Sequence, residues 1–337
     1  MRSQLMAFLL VAPLLLPAQT PSRQEAKVRK QLDRGRPYPA IRNATAMLLK
    51  GGHPEFYALR AEGYNSIGEH AKAESDARES LRLLPQPGDG LYQLAVAEQG
   101  MGQWDSAAHH LQQVTGPRRD VLMRLALVEQ MRGRSAEALG AIDRALAEAP
   151  QGGTDAARLH RIKGEIAATA GDSATARREL DLAVQMAPAD PVGYNSRGYY
   201  VHAWQGHHRA AVQDYDRAIK LNPNYSYAFN NRGWSLYKMG QTAKGIKDIE
   251  RAKRKKAYNP YVYRNLGFIA LEGGDTAKAC IQFRQALDKG FTAQFGDEVE
   301  LQVAAHCGKA PVVPPPASNA PDRKPGQPVE PRSNAPE

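Results

Sequence analysis

Only two of the 337 residues are cysteine, Cys280 and Cys307. That number excludes a disulfide-dense scaffold and any four-cysteine metal site. Beyond residue 20 no stretch approaches the roughly 18 to 20 apolar residues that a membrane helix needs. Compact catalytic signatures are also missing: the chain has no phosphate-cradling loop, no Gly-x-Ser-x-Gly elbow and no His-Glu-x-x-His helix. The histidine pairs His109-His110 and His207-His208, the second near His202, do not read as metal ligands, because adjacent side chains on a helix diverge. No catalytic residue, cofactor or metal is expected. What remains is ordinary globular stock, 42% hydrophobic and 24% charged, with a net charge of +10.

Residues 1–18 read as a secretory signal peptide. Arg2 supplies a positive n-region, Leu5 to Leu16 form an apolar run too short to span a bilayer, and Leu16-Pro17-Ala18 offers a cleavage site. An uncleaved anchor is the competing reading, opposed by Pro13 and by the shortness of the run. The expectation is an exported chain, periplasmic or extracellular.

A ladder of small residues runs through the rest. Gly164, Gly171, Ala176, Leu180, Ala183 and Pro188 sit at offsets of 0, 7, 12, 16, 19 and 24. The same rungs start at Ala61, Ala95, Ala126, Gly233 and Gly267, and again at Gly198 with one residue inserted before Gly206. Each period specifies a helical hairpin. The first small residue lets two helices approach closely, the glycine seven later turns the chain, and Ala, a large apolar residue and Ala follow as the stripe of a second helix. Proline ends that helix. One hairpin cannot bury its apolar faces alone, so neighbours must stack.

This pattern resembles the tetratricopeptide repeat over residues 21–292. Seven units fill 54–292, and a degenerate hairpin at 21–53 keeps Gly35, Ala40 and Ala44 in phase behind a polar first helix. Departures are Ala for the first glycine in three units, Gly245 where Ala is usual, and Ala257 for the terminal proline. The resemblance implies an all-α fold: an α-solenoid, a right-handed superhelix of helical hairpins, whose first helices line a concave groove. Residues 293–308 are expected to form a C-terminal capping helix over the last hairpin. Residues 309–337, rich in Pro, Ala, Asn and charge, read as a disordered tail.

Facing residues of an antiparallel hairpin have nearly constant summed numbers, and the midpoint of Cys280 and Cys307 falls inside the turn Gly290–Gly296. Exported bacterial repeat proteins that this chain resembles carry such a pair around an Ala-Leu-Asp-Lys-Gly-Phe turn. A disulfide closing the end of the array is one reading, and two buried free thiols are the other.

Carried onto the repeats, the groove would present Asn195 and Tyr199, then Asn230, Trp234 and Tyr237, then Arg264 and Phe268. Rings flanked by Asn and Arg suit an extended peptide. The N-terminal groove, with Glu55, Glu62, Asn65, Tyr92, Gln99 and Gln130, reads as neutral or acidic. No unit shows the Lys-Asn pair with which some family members clamp a C-terminal carboxylate. Between 191 and 292 there are 17 Lys and Arg against 7 Asp and Glu, including the run Arg251, Lys253, Arg254, Lys255, Lys256. The expected function is a non-enzymatic scaffold holding a protein or peptide of the cell envelope, the basic half steering acidic segments. The alternative is an anionic lipid or cell-wall polymer bound at the basic run, with membrane-surface contact. The export signal argues against a nucleic acid partner.

Overall fold

The structure, a computed structural model, describes residues 22–51, 53–84, 88–115, 119–149, 152–255, 259–291 and 296–308. The leader 1–18, the tail 309–337, Lys256, Ala257 and the loop residues Pro85, Gly116, Pro117, Pro150 and Gln151 lie outside them. Every regular element among the described residues is helical, in two compact units divided between Pro223 and Asn224.

The first unit holds α1 (Arg23–Asp33), α2 (Pro37–Leu49), α3 (Glu55–Ser66), α4 (His70–Leu83), α5 (Gly88–Gly100), α6 (Trp104–Gln113), α7 (Arg119–Met131), α8 (Ser135–Ala147), α9 (Gly153–Thr169), α10 (Ser173–Met186), α11 (Pro191–Arg197) and α12 (His208–Leu221). The second holds α13 (Ser226–Lys238), α14 (Thr242–Lys255), α15 (Pro260–Glu272), α16 (Thr276–Asp288) and α17 (Glu298–His306). Within each unit the helices pack on their neighbours in sequence, and first helices also touch the next first helix, α3 on α5 and α13 on α15. This is the packing of an α-solenoid.

The ladder is the core. Ala61, Ala73, Ala95, Ala107, Ala126, Ala138, Ile142, Leu180, Tyr215, Ile249 and Phe283 are all buried at 2% exposure or less. The glycine at the turn adopts positive φ, +85° at Gly171 and +78° at Gly240, a conformation that a Cβ disfavours. The next residue then donates its N–H to the carbonyl five residues back (Asp172 to Ala167, Gln241 to Leu236), closing the helix end with a Schellman bond. Closest approach comes where both small positions are glycine. A Cβ on Gly233 would stand 2.7 Å from the Gly245 carbonyl oxygen, and one on Gly245 would stand 2.6 Å from that of Gly233. Gly245 is thus part of a backbone contact between α13 and α14.

The inserted residue after Gly198 has a definite place. Helix α11 continues as a π turn over Gly198–His202 and a 3-10 turn over Ala203–Gln205 before Gly206 restores the phase. A π turn absorbs one extra residue without breaking the hydrogen-bonded rod.

At the far end, α17 lies inside the segment 293–308 expected to cap the last hairpin. Its own Val299 is fully buried, and the Arg284 guanidinium donates to the carbonyls of Cys307 (2.7 Å) and Gly308 (3.2 Å). Cys280 and Cys307 stand at disulfide distance, with Cα atoms 5.4 Å apart.

Candidate functional site

Among the described residues three clefts open on the first helices of the first unit, and Tyr92 lines all three. The largest, about 610 Å3, lies among α5, α7 and α9 and is walled by Met123, Arg124, Leu127 and Arg158. A second, about 480 Å3, reaches from Glu62 and Asn65 to Gln99 and Arg124. The third, about 280 Å3, includes Arg29, Asp89 and Asp120. Arg124 holds the centre. Its Nε donates to Tyr92 Oη (3.2 Å), its Nη1 to Gln99 Oε1 (2.7 Å), and the guanidinium sits 5.4 Å from the Tyr92 ring centre. Glu62 is half-buried. Burial raises its carboxyl pKa, Asp33 and Asp89 add to the rise, and Arg29 opposes it.

Arg29, Arg124 and Arg158 line this groove beside the residues named from the sequence. Arg124 stands two residues before the ladder position Ala126. The equivalent residue on α5, Gln93, lines two of these clefts although it is only 7% exposed, while Asn265 on α15 is buried.

In the second unit four of the expected residues form one cluster. Trp234 packs against Tyr237 (5.5 Å between ring centroids) and Phe268 (6.4 Å), and Arg264 lies 5.1 Å from the Trp234 ring and 4.6 Å from that of Phe268. Tyr237 Oη donates to Glu272 Oε2 at 2.6 Å. Its loss of solvent, reinforced by that carboxylate, pushes the phenol up to about 12. Arg264 Nε and Nη2 donate to Glu298 of α17. Asn230 does not line a groove. It is 1% exposed, donates to Asn231 and accepts from Asn265, an amide chain that spans α13 and α15.

Asn195 and Tyr199 belong to the first unit. Tyr199, on the π turn, stacks on Trp204 (5.9 Å, 26° between planes) and meets Tyr200 edge-on. Of the basic run, Arg251 and Lys255 lie over the Phe229 ring, Lys255 also donates to Asn224, and Lys253 lies over Tyr263.

A repeated ion pair escaped the sequence reading. Arg60, Arg197 and Arg232, each just before a first small residue, fork onto Asp76, Asp214 and Asp248 on the second helix of the same hairpin. The signal was present as Arg at offset −1 and Asp at +15, +16 where the residue is inserted. Elsewhere the buried acid finds other partners: Glu98 pairs with His110 and Glu179 with His160, each at 2.7 Å. These charges are spent inside the fold. Among the described residues no three His, Cys, Asp or Glu side chains gather as metal ligands would, and no helix is long and apolar enough to cross a membrane.

Family models describing a TPR repeat and a tetratricopeptide repeat match residues 200–240 and residues 92–153 and 124–191. Similar solved structures include a tetratricopeptide repeat protein from Parabacteroides merdae, with TM-score 0.61, 16% identity and coverage of 75% of this chain and 100% of that one. The human IFIT1 dimer with PPP-AAAA has TM-score 0.54 and 15% identity, covering 79% of this chain and 68% of that one. The APC/C hetero-tetramer Cut9-Hcn1 has TM-score 0.56 and 13% identity over 84% of this chain, which spans 55% of that chain. At such identities the likeness is one of fold.

Proposed function

Because this chain is a member of the tetratricopeptide-repeat family, whose repeats generally mediate protein–protein contact, we propose that it is an exported, non-catalytic adaptor that holds an extended protein segment against its first helices. The observation that carries this reading is the row of clefts around Tyr92, which crosses successive first helices from α3 to α9. A row of that kind matches successive side chains of one extended strand, and it is held by a packed core, so little order has to be gained on binding. Export is supported by the leader composition and by the cysteine pair, since disulfides persist in oxidising compartments. The same fold carries IFIT1 with PPP-AAAA, so the fold alone does not choose between ligand classes. That choice rests on the surface.

The test is a photo-reactive benzoylphenylalanine placed at Tyr92 in the full chain, expressed with its leader and irradiated in the envelope, with the same group at the exposed Leu49 on α2 as control. Crosslinked partners are expected from position 92 and not from position 49. Equal labelling at both would overturn the groove. Recovery of the chain in the cytosolic fraction would overturn export.

A further inference from the structure

We infer that the cleft beside Tyr92 takes an acidic residue adjacent to an apolar one, the carboxylate on Arg124 and Arg158 and the aliphatic side chain on Met123 and Leu127. This rests on the adaptor reading and names the segment it would hold.

The argument begins from charge that the fold leaves uncompensated. Arg60, Arg132, Arg197, Arg232 and Arg264 each pair with a carboxylate at 2.5 to 2.8 Å. Arg124 does not. Both of its acceptors, a phenol and an amide, are neutral, and its Nη2 makes no hydrogen bond among the described residues. It is half-buried, so it has lost part of its hydration without gaining a counter-charge, and a ligand carboxylate would restore the deficit through a charge-assisted bond. The Tyr92 ring and Gln99 hold the guanidinium in place before any ligand arrives, which limits the entropy lost on binding. Arg158, exposed in the same cleft, forms no ion pair among the described residues. Arg119 is a different case, already paired with Asp155 at 3.1 Å.

Two further features narrow the ligand. Leu127 is 40% exposed and Met123 half-buried in the same wall, an apolar surface that a bare anion would leave wet. The cleft also carries Asp120 and Asp155 on its lining, so a polyanion such as a nucleic acid backbone would meet like charge in the same cleft. One carboxylate beside one aliphatic side chain fits, and a run of phosphates does not.

The experiment uses the full secreted chain and three fluorescein-labelled ten-residue peptides in one Gly-Ser frame, with Asp-Leu, Asn-Leu or Lys-Leu at the centre, read by fluorescence anisotropy. The Asp-Leu peptide is expected to bind about tenfold tighter than Asn-Leu, and Lys-Leu more weakly still. Arg124→Gln and the exposed-site variant Arg158→Gln should each remove most of that preference with helicity unchanged, and Arg124→Lys should keep part of it. If Asp-Leu and Asn-Leu bind alike while Tyr92→Ala weakens both, this inference falls and the groove stands. If no peptide binds, both fall. A preference that survives both Gln variants, or full displacement by inorganic phosphate at equal concentration, would also overturn the inference.

Discussion

Arg264 lays Nε and Nη2 on the two carboxylate oxygens of Glu298, at 2.9 and 2.5 Å, across a separation of 34 residues. That separation is one repeat. Helix α17 therefore meets α15 at the spacing by which first helices follow one another, as Lys238 of α13 meets Glu272 of α15, also 34 apart. The cap thus takes the place of a first helix, and Cys307 at its end stands at disulfide distance from Cys280 of α16.

Losing the carboxylate should matter little to stability. Glu298 is 44% exposed, and ion pairs at such sites contribute about 1 kcal/mol or less. Glu298→Gln is expected to leave the urea midpoint nearly unchanged while shifting the emission of Trp234, whose ring Arg264 covers. A large loss of stability would show that the pair carries the cap.

The cysteines should matter more. A cross-link closing a loop of this size, its ends 27 positions apart in sequence, stabilises by about 3 kcal/mol in the chain-entropy picture. Cys280→Ser with Cys307→Ser should lower thermal stability by that order and speed amide exchange in α17, leaving exchange in the first unit untouched. Unchanged exchange in α17 would mean that Val299 and Arg284 suffice to hold it.

Gly233→Ala tests the closest helix approach. The new methyl would lie 2.7 Å from a backbone oxygen that cannot rotate away, and overpacking of this kind costs about 1–3 kcal/mol. Gly140→Ala, where a Cβ meets nothing within 4 Å, should be neutral or mildly stabilising because alanine favours helix. Calorimetry on the two variants separates packing from propensity.

Acid should weaken the first unit through Glu179. Burial alone would raise its carboxyl, but His160, Arg178 and Lys163 outweigh burial and hold it below the usual carboxylate range. A depressed folded pKa contributes stability that is present above the unfolded value near 4.3 and lost as pH falls through the folded one. Urea midpoints should drop as pH is lowered from about 5 toward 3, and Glu179→Gln should flatten that slope while lowering stability at pH 7. An unaltered slope would assign the acid sensitivity to other carboxylates.

Much of this was legible beforehand because it depends on residues close in sequence. A glycine seven after a small residue can only be a turn, and Ala-x-x-x-Ile-x-x-Ala can only be a helix stripe when its neighbours repeat it. Even the insertion after Gly198 was visible as a phase slip, though not as a π turn. Less could be read of the binding face. Asn230 and Arg264 occupy the same repeat position, yet one is buried in an amide chain and the other stands over two rings, since what each meets depends on the next hairpin.

Sequence alone determined that the chain folds as paired helices, because sterics at short spacing leave one way to pair rods that carry glycine and alanine at fixed intervals. Tertiary structure alone decided which first-helix charges stay uncompensated. Glu298 answers Arg264, and no carboxylate among the described residues answers Arg124. The reason is physical: neutralisation depends on partners about a repeat away, which the local spacing does not record.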